Sequence, residues 1–127
     1  MSSIYDNPYT ALKTIFHEPN RLAIMSALCS SADGLTFKEL KESCELTDGN
    51  LSRHLKALEE AQVILIEKKF IGAKPRTTVV LTDIGRESFV DYLKALEEVL
   101  KKAAEAVAAG GEEGISLPLA WIKPANA

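Results

Sequence analysis

Asn50-Leu-Ser-Arg-His-Leu-Lys-Ala-Leu-Glu-Glu-Ala-Gln-Val-Ile64 decides the fold of this chain. Its first half sets Leu51, Leu55 and Leu58 along one stripe of a short amphipathic helix. The opposite face carries Asn50, Ser52, Arg53 and Lys56, side chains that can hydrogen-bond base edges or phosphates. Arg53 suits a bidentate contact to guanine, and Asn50 and Ser52, near the helix N-terminus, suit an adjacent base or a phosphate. His54 stands between two expectations, a place at the groove edge or packing beside a hairpin over residues 63–81. From Val63-Ile-Leu-Ile66 the run is too short and too β-branched for another helix and reads as a strand.

Working forward, Glu67-Lys-Lys-Phe70 extends that strand into solvent, Gly72 and Pro75 mark a turn, and Thr77-Thr-Val-Val-Leu81 returns as the partner. Residues 63–81 are therefore expected as a hairpin with Lys68, Lys69, Lys74 and Arg76 around its tip. Lys74 and Arg76 are expected on a phosphate backbone, adding affinity with little sequence information.

Working backward, Thr36-Phe-Lys-Glu39 matches a capping box. The helix it starts puts Phe37, Leu40 and Cys44 on one face, Glu45-Leu46 makes a tight turn, and Thr47 or Asp48 caps the next helix. A helix from about Asn20 to Ser30 is expected to bury Leu22, Met25, Leu28 and Cys29, closed by Ser31-Ala-Asp-Gly34. Before it, Asn7-Pro8 resembles a cap with proline at the first helical position, and Leu12, Ile15 and Phe16 give a short helix ending near Pro19. Two short helices joined by a small turn, followed by a hairpin, predict a mainly α winged helix-turn-helix domain over residues 8–81.

Thr82 caps a final helix of about 27 residues, roughly 40 Å long at 1.5 Å per residue. Phe89, Leu93, Leu96, Leu100, Ala103 and Val107 alternate spacings of four and three along it, the a/d seam of a coiled coil. Residues 82–108 are thus expected to dimerise two copies about a twofold axis. Gly110-Gly111 ends the helix, leaving a tail over 109–127 with the apolar run Ile115–Ile122 and the sole tryptophan, Trp121.

With 127 residues, 46% hydrophobic and 26% charged, the chain fits one globular domain. No apolar run approaches the roughly 20 residues of a membrane span, and the basic start of a secretory signal is missing, so a cytoplasmic place is expected. Two cysteines, Cys29 and Cys44, fit a reducing compartment. The net charge of −3 hides an asymmetry: residues 48–78 carry a net of +2 and residues 83–113 a net of −4. Because screening confines phosphate contacts to about 8–10 Å, the local balance is the relevant one. No Ser-His-Asp, paired-carboxylate, Walker or Gly-rich phosphate pattern occurs, so no enzyme, cofactor or metal is expected.

Leu51-Ser-Arg-His-Leu-Lys-Ala-Leu-Glu-Glu-Ala61, the hairpin and Leu81-Thr-Asp-Ile-Gly-Arg86 together resemble MarR-type and ArsR-type winged-helix regulators, as do Arg21–Leu28 and Leu35–Leu40. The resemblance covers roughly residues 8–107. It implies a DNA-binding transcriptional regulator, by default a repressor, that acts as a homodimer on a pseudo-palindromic double-stranded site. It also implies Asn50, Ser52, Arg53 and His54 at major-groove positions and Lys74 and Arg76 as wing contacts. The paired cysteines of a metal-sensing ArsR protein are missing, since Cys44 stands alone. A small-molecule effector is compatible with the resemblance, its identity open. Two other readings keep the fold: a protein-interaction module without DNA, and a ligand sensor built around Trp121.

Overall fold

The structure, a computed structural model, describes residues 8–110. Asn7, Gly111 and the Ile115–Ile122 run with Trp121 lie outside the described residues. In chain order the elements are α1 (Pro8–Ala11), α2 (Pro19–Cys29), β1 (Leu35–Thr36), α3 (Phe37–Cys44), α4 (Asp48–Glu60), β2 (Ile64–Ile71), β3 (Lys74–Leu81) and α5 (Asp83–Ala109). The chain packs as two units, residues 13–90 and a second holding 91–110 with the start of the described chain.

α3, α4 and α5 each begin where the sequence supplies an acceptor. Thr36 Oγ1 accepts from the Glu39 amide at 3.1 Å while Glu39 Oε1 accepts from the Thr36 amide at 3.1 Å, closing the capping box on α3. Thr47 Oγ1 accepts from the Asn50 amide at 3.2 Å and starts α4. Thr82 Oγ1 accepts from the Gly85 amide at 2.8 Å and starts α5. At the other end, α3 and α4 both close through a residue in the left-handed region, Glu45 at φ 53 and Gln62 at φ 64. There the Leu46 amide reaches back to the Lys41 carbonyl at 3.1 Å, and the Val63 amide to that of Leu58 at 3.2 Å, so that the orphan carbonyls of each last turn are satisfied.

The sheet is antiparallel with order β1-β3-β2. β1, two residues long, is an addition to the expected hairpin; a strand of two residues leaves no periodicity to read. The hairpin turn is Gly72-Ala73, with Gly72 at φ 63, the pattern of a two-residue primed turn. Pro75 is therefore not in the turn but in β3, opposite Phe70. Because β1 pairs only with Thr78 and Val79, that stretch of β3 has a free edge, where a sheet tolerates a residue without an N–H.

Within the unit 13–90 the core gathers Phe16, Ile24, Met25, Leu28, Leu40, Leu51, Leu55, Leu58, Val63, Ile64, Val79 and Phe89, all buried. The rings of Phe16 and Phe89 meet edge-to-face, centroids 5.3 Å apart and planes at 74°, an arrangement that aligns the positive ring edge with the negative face. The start of α5 lies so close to the end of α4 that a Cβ at Gly85 would overlap the Val63 carbonyl.

Three local expectations are corrected. α1 stops at Ala11, and turns carry the chain through Phe16, because Thr14 turns back to accept from the Phe16 amide at 3.3 Å. Cys29 is exposed, not buried, since Ile24, Met25 and Leu28 set the buried stripe of α2 and Cys29 lies one position past it. Leu22, expected buried, is half-buried.

Candidate nucleic-acid interface

α4 sorts its residues by helical phase. Leu51, His54, Leu55 and Leu58 are buried, spaced three, four and seven residues from the first, the signature of one face. Asn50, Ser52, Arg53 and Lys56 are exposed. Arg53 Nη2 donates to Asn50 Oδ1 at 3.4 Å, so these two side chains already converge at the start of the helix. Lys41 of α3 holds the Asp48 carboxylate at 2.9 Å, tying the two helices across the turn.

His54, expected either at the groove edge or packed beside the hairpin, is turned inward. Only 3% of it is exposed, because its spacing from Leu51 and Leu58 puts it in the buried stripe. Its Nδ1 lies 3.3 Å from Arg21 Nη1 and 3.8 Å from Glu18 Oε2. Arginine has no acceptor, so Arg21 donates and Nδ1 accepts, which leaves the proton of the neutral ring on Nε2. Nε2 meets no hydrogen-bond partner among the described residues. Burial pushes the imidazole pKa down; the Glu18 carboxylate pulls the other way, and the charges of Arg53 and Arg21 add to the depression. Arg21 is itself fixed, its Nε donating to the Ile15 carbonyl at 2.6 Å. Burial disfavours the charged form of Glu18, but the Arg21 and Asn20 amides and the charges of His54 and Arg21 outweigh it and hold the carboxyl below its ordinary range.

On the hairpin, register pairs Lys69 with Arg76 and Ile71 with Lys74. Directly paired residues share a face, so Lys69, Lys74 and Arg76 stand together on one side of the wing, all exposed. Like charges opposite one another destabilise a sheet, and Glu67 relieves part of this by holding Lys69 at 3.2 Å. Arg76 also lines, with Lys38, Thr36, Thr77, Phe37 and Pro75, an open groove of about 370 Å³ between the first turn of α3 and the wing. Lys38 was not among the expected contacts. Its only sequence signal was its place inside the Thr36–Glu39 capping box, and its nearness to Arg76 follows from the β1–β3 pairing.

On α5, Phe89 is buried against Phe16 inside its own unit. Leu93 is 39% exposed, Ala103 is exposed, and Leu96, Leu100 and Val107 are half-buried. Cys44 is half-buried and burial pushes its thiol pKa up. Among the described residues no helix is long and apolar enough to cross a membrane.

A capped helix, a tight turn, a second helix with a polar outer face, and a sheet whose long hairpin stands out as a wing define a winged helix-turn-helix protein. The chain belongs to the winged helix DNA-binding domain family, which matches residues 20–100. It is 36% identical over 87 residues to an uncharacterized protein of Methanocaldococcus jannaschii, a stretch taking in 68% of this chain and 94% of that one. A transcriptional regulator homologue of Pyrococcus horikoshii OT3 superposes with a TM-score of 0.69 at 31% identity, over 75% of this chain and 94% of that one. Staphylococcus aureus MepR, solved in complex with DNA, superposes with a TM-score of 0.62 at 18% identity, over 84% of this chain and 85% of that one. The winged-helix architecture expected from residues 51–61, the hairpin and residues 81–86 is thus matched in the fold.

Proposed function

We propose that this protein is a sequence-specific transcriptional regulator that binds double-stranded DNA as a homodimer and represses by occupying a pseudo-palindromic operator in the cytoplasm. The observation that carries this reading is the division of α4, with Leu51, Leu55 and Leu58 locked in the core and Asn50, Ser52, Arg53 and Lys56 exposed on the outer face. α4 lies in the major groove, Arg53 reads guanine, Asn50 and Ser52 reach a neighbouring base or phosphate, and Lys56 meets the backbone. Lys74 and Arg76 of the wing bind flanking phosphates. The likeness to a regulator homologue at 31% identity and the DNA held by the more distant MepR support the same class.

The dimer forms through α5, by Leu93, Leu96, Leu100, Ala103 and Val107, whose four-three spacing is that of a coiled-coil seam. Phe89 is left out of that seam, being buried within its own protomer. A C2 dimer of this kind reads half-sites about one helical turn, roughly 34 Å, apart. The test is recovery of fragmented genomic DNA by the pure protein at moderate salt, followed by sequencing. A short inverted repeat enriched among the bound fragments is expected; uniform recovery sinks the sequence-specific reading.

A further inference from the structure

Phe70 is 76% exposed and its neighbour Ile71 is 55% exposed, although both end a strand that starts in the core at Ile64. We propose that Phe70 is an apolar wedge that enters the minor groove of bound duplex DNA and unstacks a base step, bending the duplex. The inference rests on the DNA-binding reading above and adds to it a deformation that no phosphate contact requires.

Register places the wedge. Ile64, Ile66, Lys68 and Phe70 alternate onto one face of β2, the face that holds the buried Ile64 and Val79. Phe70 sits four residues beyond Ile66, roughly 13 Å along the strand at about 3.3 Å per residue. β1 accompanies β3 only at residues 78 and 79, so this end of the hairpin is two strands wide and closes in the two-residue turn Gly72-Ala73. Opposite Phe70 stands Pro75, which stiffens the partner strand behind the ring.

Charge selects the occupant. Residues 68–76 contain Lys68, Lys69, Lys74 and Arg76 and no acidic side chain, and Glu67, just outside, is engaged with Lys69 at 3.2 Å. An apolar side chain at a hairpin end whose charges are all cationic, Lys68 on its own face and Lys69, Lys74 and Arg76 on the other, fits a polyanion that offers a hydrophobic interior close beneath its charges. Stacked base pairs below a phosphate rail have that form, and apolar side chains inserted between base steps kink a duplex. A narrow two-stranded tip also suits a minor groove about 6 Å wide.

The test uses duplexes that the wild-type protein selects from random-sequence DNA, labelled at both ends for energy transfer, so that bend and affinity are read together. Wild-type binding is expected to shorten the end-to-end distance. Phe70→Ala restores the distance of the free duplex and weakens binding roughly tenfold, the order expected when an unstacking contact is lost, with the salt slope unchanged. Phe70→Leu keeps both bend and affinity. Arg76→Ala shows the opposite pattern, a salt slope lower by about one with the bend retained. A Phe70→Ala protein that binds and bends like the wild type overturns the wedge and leaves the DNA-binding reading intact. Failure of the wild type to select any duplex overturns both, as does Phe70-dependent binding to phosphatidylserine vesicles in place of DNA.

Discussion

Arg21 of α2 donates to the buried ring of His54 on α4 across 3.3 Å, so the helix that carries the exposed Asn50–Lys56 face is held to the core by a neutral histidine. The relationship is conditional on charge. Once Nδ1 is protonated it can no longer accept from Arg21, while Glu18 Oε2 at 3.8 Å becomes the favoured neighbour.

A pH dependence follows with a definite sign. The folded pKa of His54 lies below the ordinary 6.5, so the unfolded chain takes the proton first and binds more protons between the two values. Stability therefore falls as pH drops below about 6.5 toward the folded value. Urea unfolding at several pH values between about 7.5 and 5.5 measures this, and His54→Gln is expected to flatten the slope in that window. Glu18, held below 4.5, loses its contribution in a separate, more acidic window, as pH falls through its folded value. An unchanged slope in His54→Gln would remove His54 as the source.

Gly85→Ala is expected to be severely destabilising, because its Cβ would overlap the Val63 backbone carbonyl, an atom that cannot rotate away. The cost is put at about 3 kcal/mol or more, the upper end of overpacking. A Cβ at Gly49, inside α4, would meet nothing within 4 Å, and Gly49→Ala should stabilise by roughly 0.5–1 kcal/mol through helix propensity. Denaturant midpoints of the two variants check both signs.

Arg53→Ala is expected to cost about 1–3 kcal/mol of operator affinity and to relax preference at one base position. Lys38→Ala, at the groove it shares with Arg76, should weaken all sequences alike and lower the salt slope by about one. Titrations at several salt concentrations on matched and mismatched duplexes separate the two behaviours.

Phe89 and Leu100 test where the α5 seam begins. Phe89→Ala removes half of the Phe16–Phe89 pair and should cost about 3–5 kcal/mol of folding stability. Leu100→Glu should dissociate the dimer at micromolar concentration without a comparable loss in the fold of residues 13–90. Sedimentation equilibrium alongside thermal melts distinguishes them; a Leu100→Glu protein that stays dimeric would refute the seam.

Much of the architecture was legible along the chain because it rests on local chemistry. Thr36, Thr47 and Thr82 announce their helices by offering an oxygen to the first free amides, and the Leu51–Leu58 stripe fixes which way α4 faces. Position alone also made Asn50, Ser52, Arg53 and Lys56 the outer face. His54 shows where a residue-type bias misleads. Its chemistry kept the groove edge open as one of two places, whereas its phase, three residues after Leu51, already put it inside.

The sequence by itself determined the starts of α3, α4 and α5, the β2–β3 pairing as a hairpin and the exposed polar face, since each depends on neighbours within a few residues. Only the tertiary structure decided what lies far apart in the chain: β1 against β3, Arg21 beneath His54, Phe16 on Phe89, Lys38 beside Arg76. Those pairings join residues separated by 33 or more positions, and no local periodicity encodes them. They form because burying the apolar faces of α2, α4 and the sheet together brings the elements into one core, and the polar partners are fixed by where that packing sets them down.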